Sequence, residues 1–419
     1  MAETVWEELS RTLRSGAPYR ALRDGLGDIV RLPVPAAAWV GELLARDLGR
    51  TLLVVVPREA DALTWMEAAR LFGGEEGAIY FPAPSLTPYQ ETETSLQVRA
   101  QESVALDLIA RGAVRTVVAT PRALFRRLPT RAAFAANRLT IRPGDDQPPE
   151  QLAAHLLRFG FRRTDLVYEV GDFAVRGGVF DLFPPGEEAP VRLDLFGDTV
   201  ESIRWFEPQS QRSEDTLAEI SVLPLYPFAG GAEEAHDLAT LLAAELGDDL
   251  GPEAAEMISA LHTRGTFPGW ENYLPLAAAR TISLAEALGD ALLLAVDPPA
   301  LAAEVEHHAE RLEADFAARR DHRRLAVPPE ALEQPAADVQ EILAGAQLRL
   351  GDLLSSTAHG ADTADFHATL TDLFHGQLPR FPQEVATARS RGERCLVVVP
   401  AGHRRRMEEL LEAREVTIG

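Results

Sequence analysis

Three segments of the chain share one order of residue types: a β-branched apolar run, a proline, then a helical pattern. They are residues 50–72 (RTLLVVVPREADALTWMEAARLF), 114–128 (VRTVVATPRALFRRL) and 394–413 (RCLVVVPAGHRRRMEELLEA). An apolar run without alternation fits a strand covered on both faces, as in a parallel sheet. Proline ends the strand and sits where the next helix begins. Several such units in one chain predict an open α/β sheet with helices on both sides. Residues 291–320 repeat the order, with ALLLAVD, Pro298-Pro299 and a long helical pattern. Residues 77–81 add a short strand. After the loop Pro82–Thr94, with Pro84, Pro88 and Tyr89, a helix is expected from about Leu96 to Ala110.

Residues 165–213 read with a different period. Leu166, Tyr168 and Val170 alternate with Val167 and Glu169; Val191, Leu193 and Leu195 with Arg192, Asp194 and Phe196; Val200, Ser202 and Arg204 with Glu201, Ile203 and Trp205. Pro184-Pro185-Gly186 and Gly197-Asp198 have the chemistry of tight turns. A small antiparallel sheet is expected, one face on a core and one in solvent. Its polar face would carry Arg192, Asp194 and Phe196, and Arg176 lies upstream. An aromatic beside arginines on a solvent face has the composition of a protein-binding hot spot. The plainer reading pairs the arginines with Asp194, Glu187 or Glu188 and lets Phe196 cap a small core. On the residues alone the two readings stand about even.

Size and charge bound the rest. A chain of 419 residues is long for one core, so two or three domains are expected. The divisions fall at 1–136 (first part of an α/β domain), 137–224 (an inserted β-rich domain), 225–326 (second part of the α/β domain) and 327–419 (a smaller α/β domain). A formal charge of −23 sets the whole surface against phosphate. All 41 basic residues are arginine. A P-loop needs its lysine on the nucleotide phosphates, so a standard Walker A site is excluded. The single Cys395 excludes an internal disulfide and a multi-cysteine zinc site. No apolar run reaches membrane-spanning length and the N-terminus has no signal core, which fits a cytoplasmic protein with no membrane partner.

Other candidates read as ordinary structure. Residues 24–28 (DGLGD) are a turn rather than a phosphate loop. Asp297 is a strand-end residue and helix cap. Glu304, His307 and His308 have metal-site spacing but lack a second such motif, so a solvated helix face is expected. His359, His367 and His375 lack a ligand partner, and no cofactor or metal is expected. Arg404 to Arg406 pair with Glu408 and Glu409 along a helix. The clusters at Arg126-Arg127 and Arg319 to Arg324 are read the same way. Cys395 is expected buried in its strand. Residues 264–276 read as an irregular aromatic loop.

The run GDFAVRGGVFDLFPPG followed by VRLDLFGDTVESIRWFEPQSQRS resembles the second domain of the transcription–repair coupling factor (Mfd) family and its relative UvrB. FPAPSLTPYQ and GTFPGWENYLPL extend the similarity to most of the chain. The likeness to UvrB is the poorer, because UvrB needs a P-loop and a tyrosine-rich hairpin after the position of Tyr89. The resemblance implies a degenerate RecA-like, UvrB-like parallel-sheet domain with an inserted β-rich α+β domain. It implies an adaptor without ATPase activity that recruits UvrA by mimicking UvrB, with Arg176, Arg192 and Phe196 as contacts. It also implies a longer protein whose further domains translocate on double-stranded DNA, bind RNA polymerase, and include a C-terminal domain covering the UvrA face. A damaged-DNA-binding or helicase-like nucleotide-dependent module, or a scaffold that only orients a motor, are the competing expectations.

Overall fold

The computed structural model describes residues 2–73, 77–84, 86–90, 94–228, 231–247, 251–351, 363–368, 380–393, 395, 397, 399 and 401–413. Helices Ala2–Ser15 and Ala17–Gly25 lead into β1 (Gly27–Val30). β2 (Leu52–Val55), β3 (Ala78–Tyr80) and β4 (Thr116–Ala119) follow, separated by helices Val34–Leu48, Glu59–Gly73 and Leu96–Ala110. The short β5 (Leu128–Pro129) and β6 (Leu139–Ile141) come next, then helix Pro149–Arg158. A run of strands succeeds it: β7 (Arg162–Arg163), β8 (Asp172–Arg176), β9 (Val179–Leu182), β10 (Val191–Phe196), β11 (Thr199–Phe206), β12 (Ser213–Thr216) and β13 (Ile220–Val222). Helices Ala232–Leu246 and Pro252–Arg264 precede β14 (Thr281–Ile282) and β15 (Leu292–Val296). The long helix Pro298–Asp321 and helix Ala336–Ala344 lead to β16 (Leu348–Leu350) and β17 (Thr363–Asp365).

Seven strands make one sheet in the order β17-β1-β16-β15-β2-β4-β3. Every neighbouring pair is parallel. β2 and β4 are buried along their whole length, which is why their sequences run apolar without alternation. Leu53, Val55, Val117, Ala119 and Ala295 face a core shared with Phe125, Leu301 and Val305. On the other side helix Val34–Leu48 lies close because residue 41 is glycine; a Cβ there would stand 3.0 Å from Leu52. The expected α/β architecture is present.

The second sheet has six strands in the order β12-β11-β10-β9-β8-β7, antiparallel except for β7–β8. Its apolar face, with Phe173, Phe180, Leu182, Leu193 and Ile203, packs under Leu152 and Leu156 of helix Pro149–Arg158. β6 and β13, which flank this sheet in sequence, pair antiparallel with Ile220 opposite Ile141 and Val222 opposite Leu139.

Several expectations are corrected. Leu166–Val170 is not a strand: Val167 is buried in a loop, and β8 begins only at Asp172. Gly27 and Asp28, read as part of a turn, open β1. The aromatic stretch at 264–276 contains a 3-10 turn, Trp270–Tyr273, and a one-turn helix, Leu274–Ala277. Its Phe267, Trp270 and Tyr273 are buried in a core with Tyr89. His308 is not on a solvated face: it is buried, 2.7 Å from Glu333, with the Phe125 ring against it. Arg126 bonds Glu102 at 3.0 Å, and buried Arg319 donates to the Tyr89 carbonyl, so these two are internal struts rather than members of surface clusters. β16 (Leu348–Leu350) and β17 (Thr363–Asp365), in the stretch expected to open a smaller domain, belong to the parallel sheet.

A second compact unit covers Ala368–Gly419. Among its described residues are helices Phe381–Ser390 and Arg404–Glu412, and a small core of Val385 and Leu411 with Phe381 and Met407. Arg404 and Arg405 pair with Glu408 and Glu409 as the spacing predicts. Cys395 is exposed, contrary to the expectation of a buried strand residue. His359 and His375 lie outside the described residues. Among the described residues no group of three or more His, Cys, Asp or Glu could hold a metal, and no helix is long and apolar enough to cross a membrane.

Candidate protein-docking face

The six-stranded sheet brings the three sequence-selected residues to one face. β10 alternates as its sequence predicts, with Val191, Leu193 and Leu195 buried and Arg192, Asp194 and Phe196 on the other side. Cross-strand register then fixes the neighbours. Ala174, Asp181, Arg192 and Arg204 form one row across β8, β9, β10 and β11. Arg176, Val179, Asp194 and Ser202 form the next row.

β11 does not follow simple alternation. Leu195 pairs with Val200 but Asp194 pairs with Ser202, so Glu201 is an extra residue in a bulge. The bulge lets Val200 and Ile203 both face the core while Ser202 and Arg204 face outward with Asp194. The expectation that Val200, Ser202 and Arg204 share a face fails for this reason.

Asp181 is the hub, and its side chain is 1% exposed. Arg192 donates Nε to Asp181 Oδ1 at 2.7 Å and Nη2 to Oδ2 at 2.9 Å. Arg176 donates Nη2 to Oδ2 at 2.8 Å. Arg192 also donates Nη1 to the Gln211 carbonyl at 3.2 Å, and its guanidinium lies 4.6 Å over the Phe206 ring. These bonds to Asp181 raise the Arg192 pKa above its ordinary value. Of the carboxylates expected to pair with these arginines, Asp194, Glu187 and Glu188, Asp194 is instead bonded to Ser202 and Arg204. Glu187 accepts from the Trp205 indole.

The face is graded along β10. At one end Val167, Ala174 and Phe206 make a small second core, against which Phe183 packs. In the middle lies the Asp181 cluster. At the other end Phe196 is 78% exposed, so it caps no core. It directly precedes the two-residue hairpin turn Gly197-Asp198, where Gly197 has φ +64°, a conformation glycine adopts without strain. The hairpin tip is braced: Gln147 N donates to Asp198 O at 2.6 Å and Thr199 Oγ1 to Asp146 at 2.9 Å. Arg176 ends β8 beside the Gly177-Gly178 turn, 47% exposed. A Cβ on Gly178 would stand 2.8 Å from the Leu195 carbonyl, so the turn sits tightly against β10.

Arg176 and Phe196 are thus available to a partner, whereas Arg192 is largely committed inside the sheet face. Sequence reading missed Asp181, Arg204 and Gln211. Asp181 sits in FDLF, an apolar stretch where a lone carboxylate needs a cation; that was the available signal.

The stretch from β6 through the strand run to Phe228 is where family comparison finds its match. Residues 139–228 match the family of the UvrB interaction domain. The matched residues coincide with the six-stranded sheet, its helix Pro149–Arg158 and the β6–β13 pair. The chain is also similar to transcription-repair-coupling factors. That of Myxococcus xanthus is 35% identical over 223 residues, covering 50% of this chain and 19% of the relative. That of Bacillus subtilis is 29% identical over 254 residues, covering 58% and 22%. That of Escherichia coli is 29% identical over 258 residues, covering 60% and 21%. The matches span about half of this chain and about a fifth of the length of these relatives. The resemblance read from the sequence to a coupling-factor module is borne out.

Proposed function

We propose that this chain is the adaptor module of a transcription-coupled excision repair factor, and that the polar face of its six-stranded sheet docks UvrA as UvrB does. The observation that carries the reading is Phe196. A phenylalanine 78% exposed at a braced hairpin, beside an arginine cluster held by a buried carboxylate, has no use in folding. It has the make-up of an interface anchor, an aromatic flanked by arginine. Face charge supports it too: Arg176, Arg192 and Arg204 against Asp181 and Asp194 leave a positive island on a chain of net charge −23. Such an island favours an acidic partner surface.

The module acts without ATP chemistry of its own. β1 passes to helix Val34–Leu48 through only Arg31, Leu32 and Pro33, and Pro35 removes a further N–H from the helix start. That leaves no glycine-rich cradle or lysine for nucleotide phosphates. In the proposed longer protein, other domains translocate on double-stranded DNA and engage RNA polymerase, and a C-terminal domain covers the UvrA face until engagement. Residues 137–224 act as the inserted docking domain, and the surrounding α/β sheet is its host.

Binding of the chain to purified UvrA tests the reading, with Phe196→Ala and Arg176→Ala beside it. Binding weakened by about 2 kcal/mol or more in both variants, at unchanged melting temperature, is the expected result. An unmodified chain that does not bind UvrA would sink the proposal.

A further inference from the structure

We infer that Asp181 is the positioning residue of this docking face: it holds the Arg176 and Arg192 guanidinium groups in one arrangement before any partner arrives. The inference rests on the docking role proposed above, and deepens it by assigning a residue that touches no partner.

The geometry carries it. Asp181 faces the polar side of β9, between Ala174 on β8 and Arg192 on β10. It is fully buried, so it cannot meet a partner directly. A carboxylate in that position is destabilising unless it is paired and hydrogen-bonded. Both of its oxygens are used, Oδ1 by Arg192 and Oδ2 by both arginines. Arg192 is fixed further by the Gln211 carbonyl and the Phe206 ring, so its plane has little freedom. Arg176 is tied through one nitrogen only and keeps the rest of its fork for solvent or a partner. Without Asp181, each side chain would have to be ordered on binding, at an entropic cost. Asp181 also cancels one of the two positive charges. It therefore trades long-range attraction for fixed orientation, and that trade yields a kinetic signature.

Asp181→Asn keeps the shape and removes the charge. The face then carries one more net positive charge and looser arginines. The expected result with UvrA is a dissociation rate raised about tenfold or more. The association rate should be unchanged or faster, and more salt-sensitive than in the parent. A merely destabilised fold would lower the binding-competent fraction without steepening the salt dependence. A variant that binds with parental affinity and kinetics would overturn the inference.

A second measurement needs neither the variant nor UvrA. In the unmodified chain the Arg192 Nε–H should exchange with water far more slowly than those of exposed arginines. Its resonance is assigned by its disappearance in Arg192→Lys. Exchange as fast as at the exposed Arg163 would overturn the inference even if Asp181→Asn does not fold. If the chain fails to bind UvrA but this hydrogen is protected, the docking role falls and the preorganised cluster stands.

Discussion

The C-terminal edge of the parallel sheet and the polar face of the six-stranded sheet both carry an arginine bonded to an aspartate, and they differ in what surrounds it. At the first, Arg31 after β1 pairs with Asp365 at the end of β17, and the His367 N–H donates to the same carboxylate at 2.8 Å. The bonds from Arg31 hold the Asp365 carboxyl down at about 2. The Arg31 side chain is 46% exposed and that of Asp365 26% exposed, and Asp297 at the end of β15 spends its side chain capping the next helix. At the second, Asp181 lies beneath two arginines, one of them stacked on Phe206, and Phe196 projects nearby. The first pair closes an edge where open α/β sheets commonly bind ligands. The second is sealed from below and left open above. Burial of the carboxylate, rather than the presence of an ion pair, separates a presenting surface from a closed one.

The comparison can be broken most strongly at Arg192. Arg192→Ala removes the two bonds of the largely buried partner, leaving Asp181 only the single bond from half-exposed Arg176, and should cost about 3 kcal/mol in denaturant unfolding, as breaking a buried pair does. Arg31→Ala should leave the unfolding midpoint essentially where it is, because water replaces an exposed partner. Equal losses would erase the distinction between the two sites. Loss of UvrA binding in Arg192→Ala alone is accordingly ambiguous, which is why Phe196 and Arg176 carry the binding test.

Phe196→Ala sharpens the comparison from the other side. It should weaken UvrA binding by about 2 kcal/mol, while changing fold stability by less than about 0.5 kcal/mol. Titration calorimetry and a thermal melt on the same sample separate the two effects.

A smaller effect is expected with pH beneath the six-stranded sheet. Burial, then the neighbouring Arg158, pushes the His155 pKa below its ordinary 6.5. Its Nε2 is buried without a hydrogen-bond partner, and its ring meets the edge of Phe159 at 4.3 Å. The folded state therefore favours the neutral ring, and the unfolded chain binds the proton first as pH falls. The stability is fully present above pH 6.5 and is lost as pH drops below it. Denaturant midpoints between pH 7.5 and 5 should fall less in His155→Gln than in the parent; parallel curves would show that His155 contributes nothing.

The smallest expected effect is none at all. Mg²⁺–ATP at millimolar concentration should not move the melting temperature, because the β1 connection offers no phosphate cradle. A ligand at a hundred times its Kd would add about 2.7 kcal/mol, so a real site would be visible.

Much of this architecture was legible in residue order. The apolar runs at Leu52–Val55 and Thr116–Ala119 needed no tertiary information, because strands buried on both faces cannot alternate. The helix Leu96–Ala110 begins where Ser95 caps it, accepting from Val98 N. Alternation placed Arg192 and Phe196 on the outer face of β10 correctly. It misplaced Val200 because a bulge adds one residue without changing the local pattern. It drew a strand at Leu166–Val170 because a loop that buries one residue, Val167, can alternate as well as a strand does. It chose the wrong acid for the arginines. Asp194 is nearer in sequence, but cross-strand pairing sets Asp181 directly opposite Arg192. His308 and Arg319 were read as surface residues because charge on a long helix gives no sign of which turns another segment covers.

β6 and β13 run side by side, so residues 139 and 222 are direct partners although 83 positions separate them. Directly opposed residues in such a ladder have Cα atoms only about 5 Å apart. Everything between them can be gained or lost as a block, with the surrounding chain rejoined across a gap that one or two residues span. A recognition surface mounted on such a clasp is portable. Recombination can move it from one host domain to another, and the surface need not change to survive the transfer.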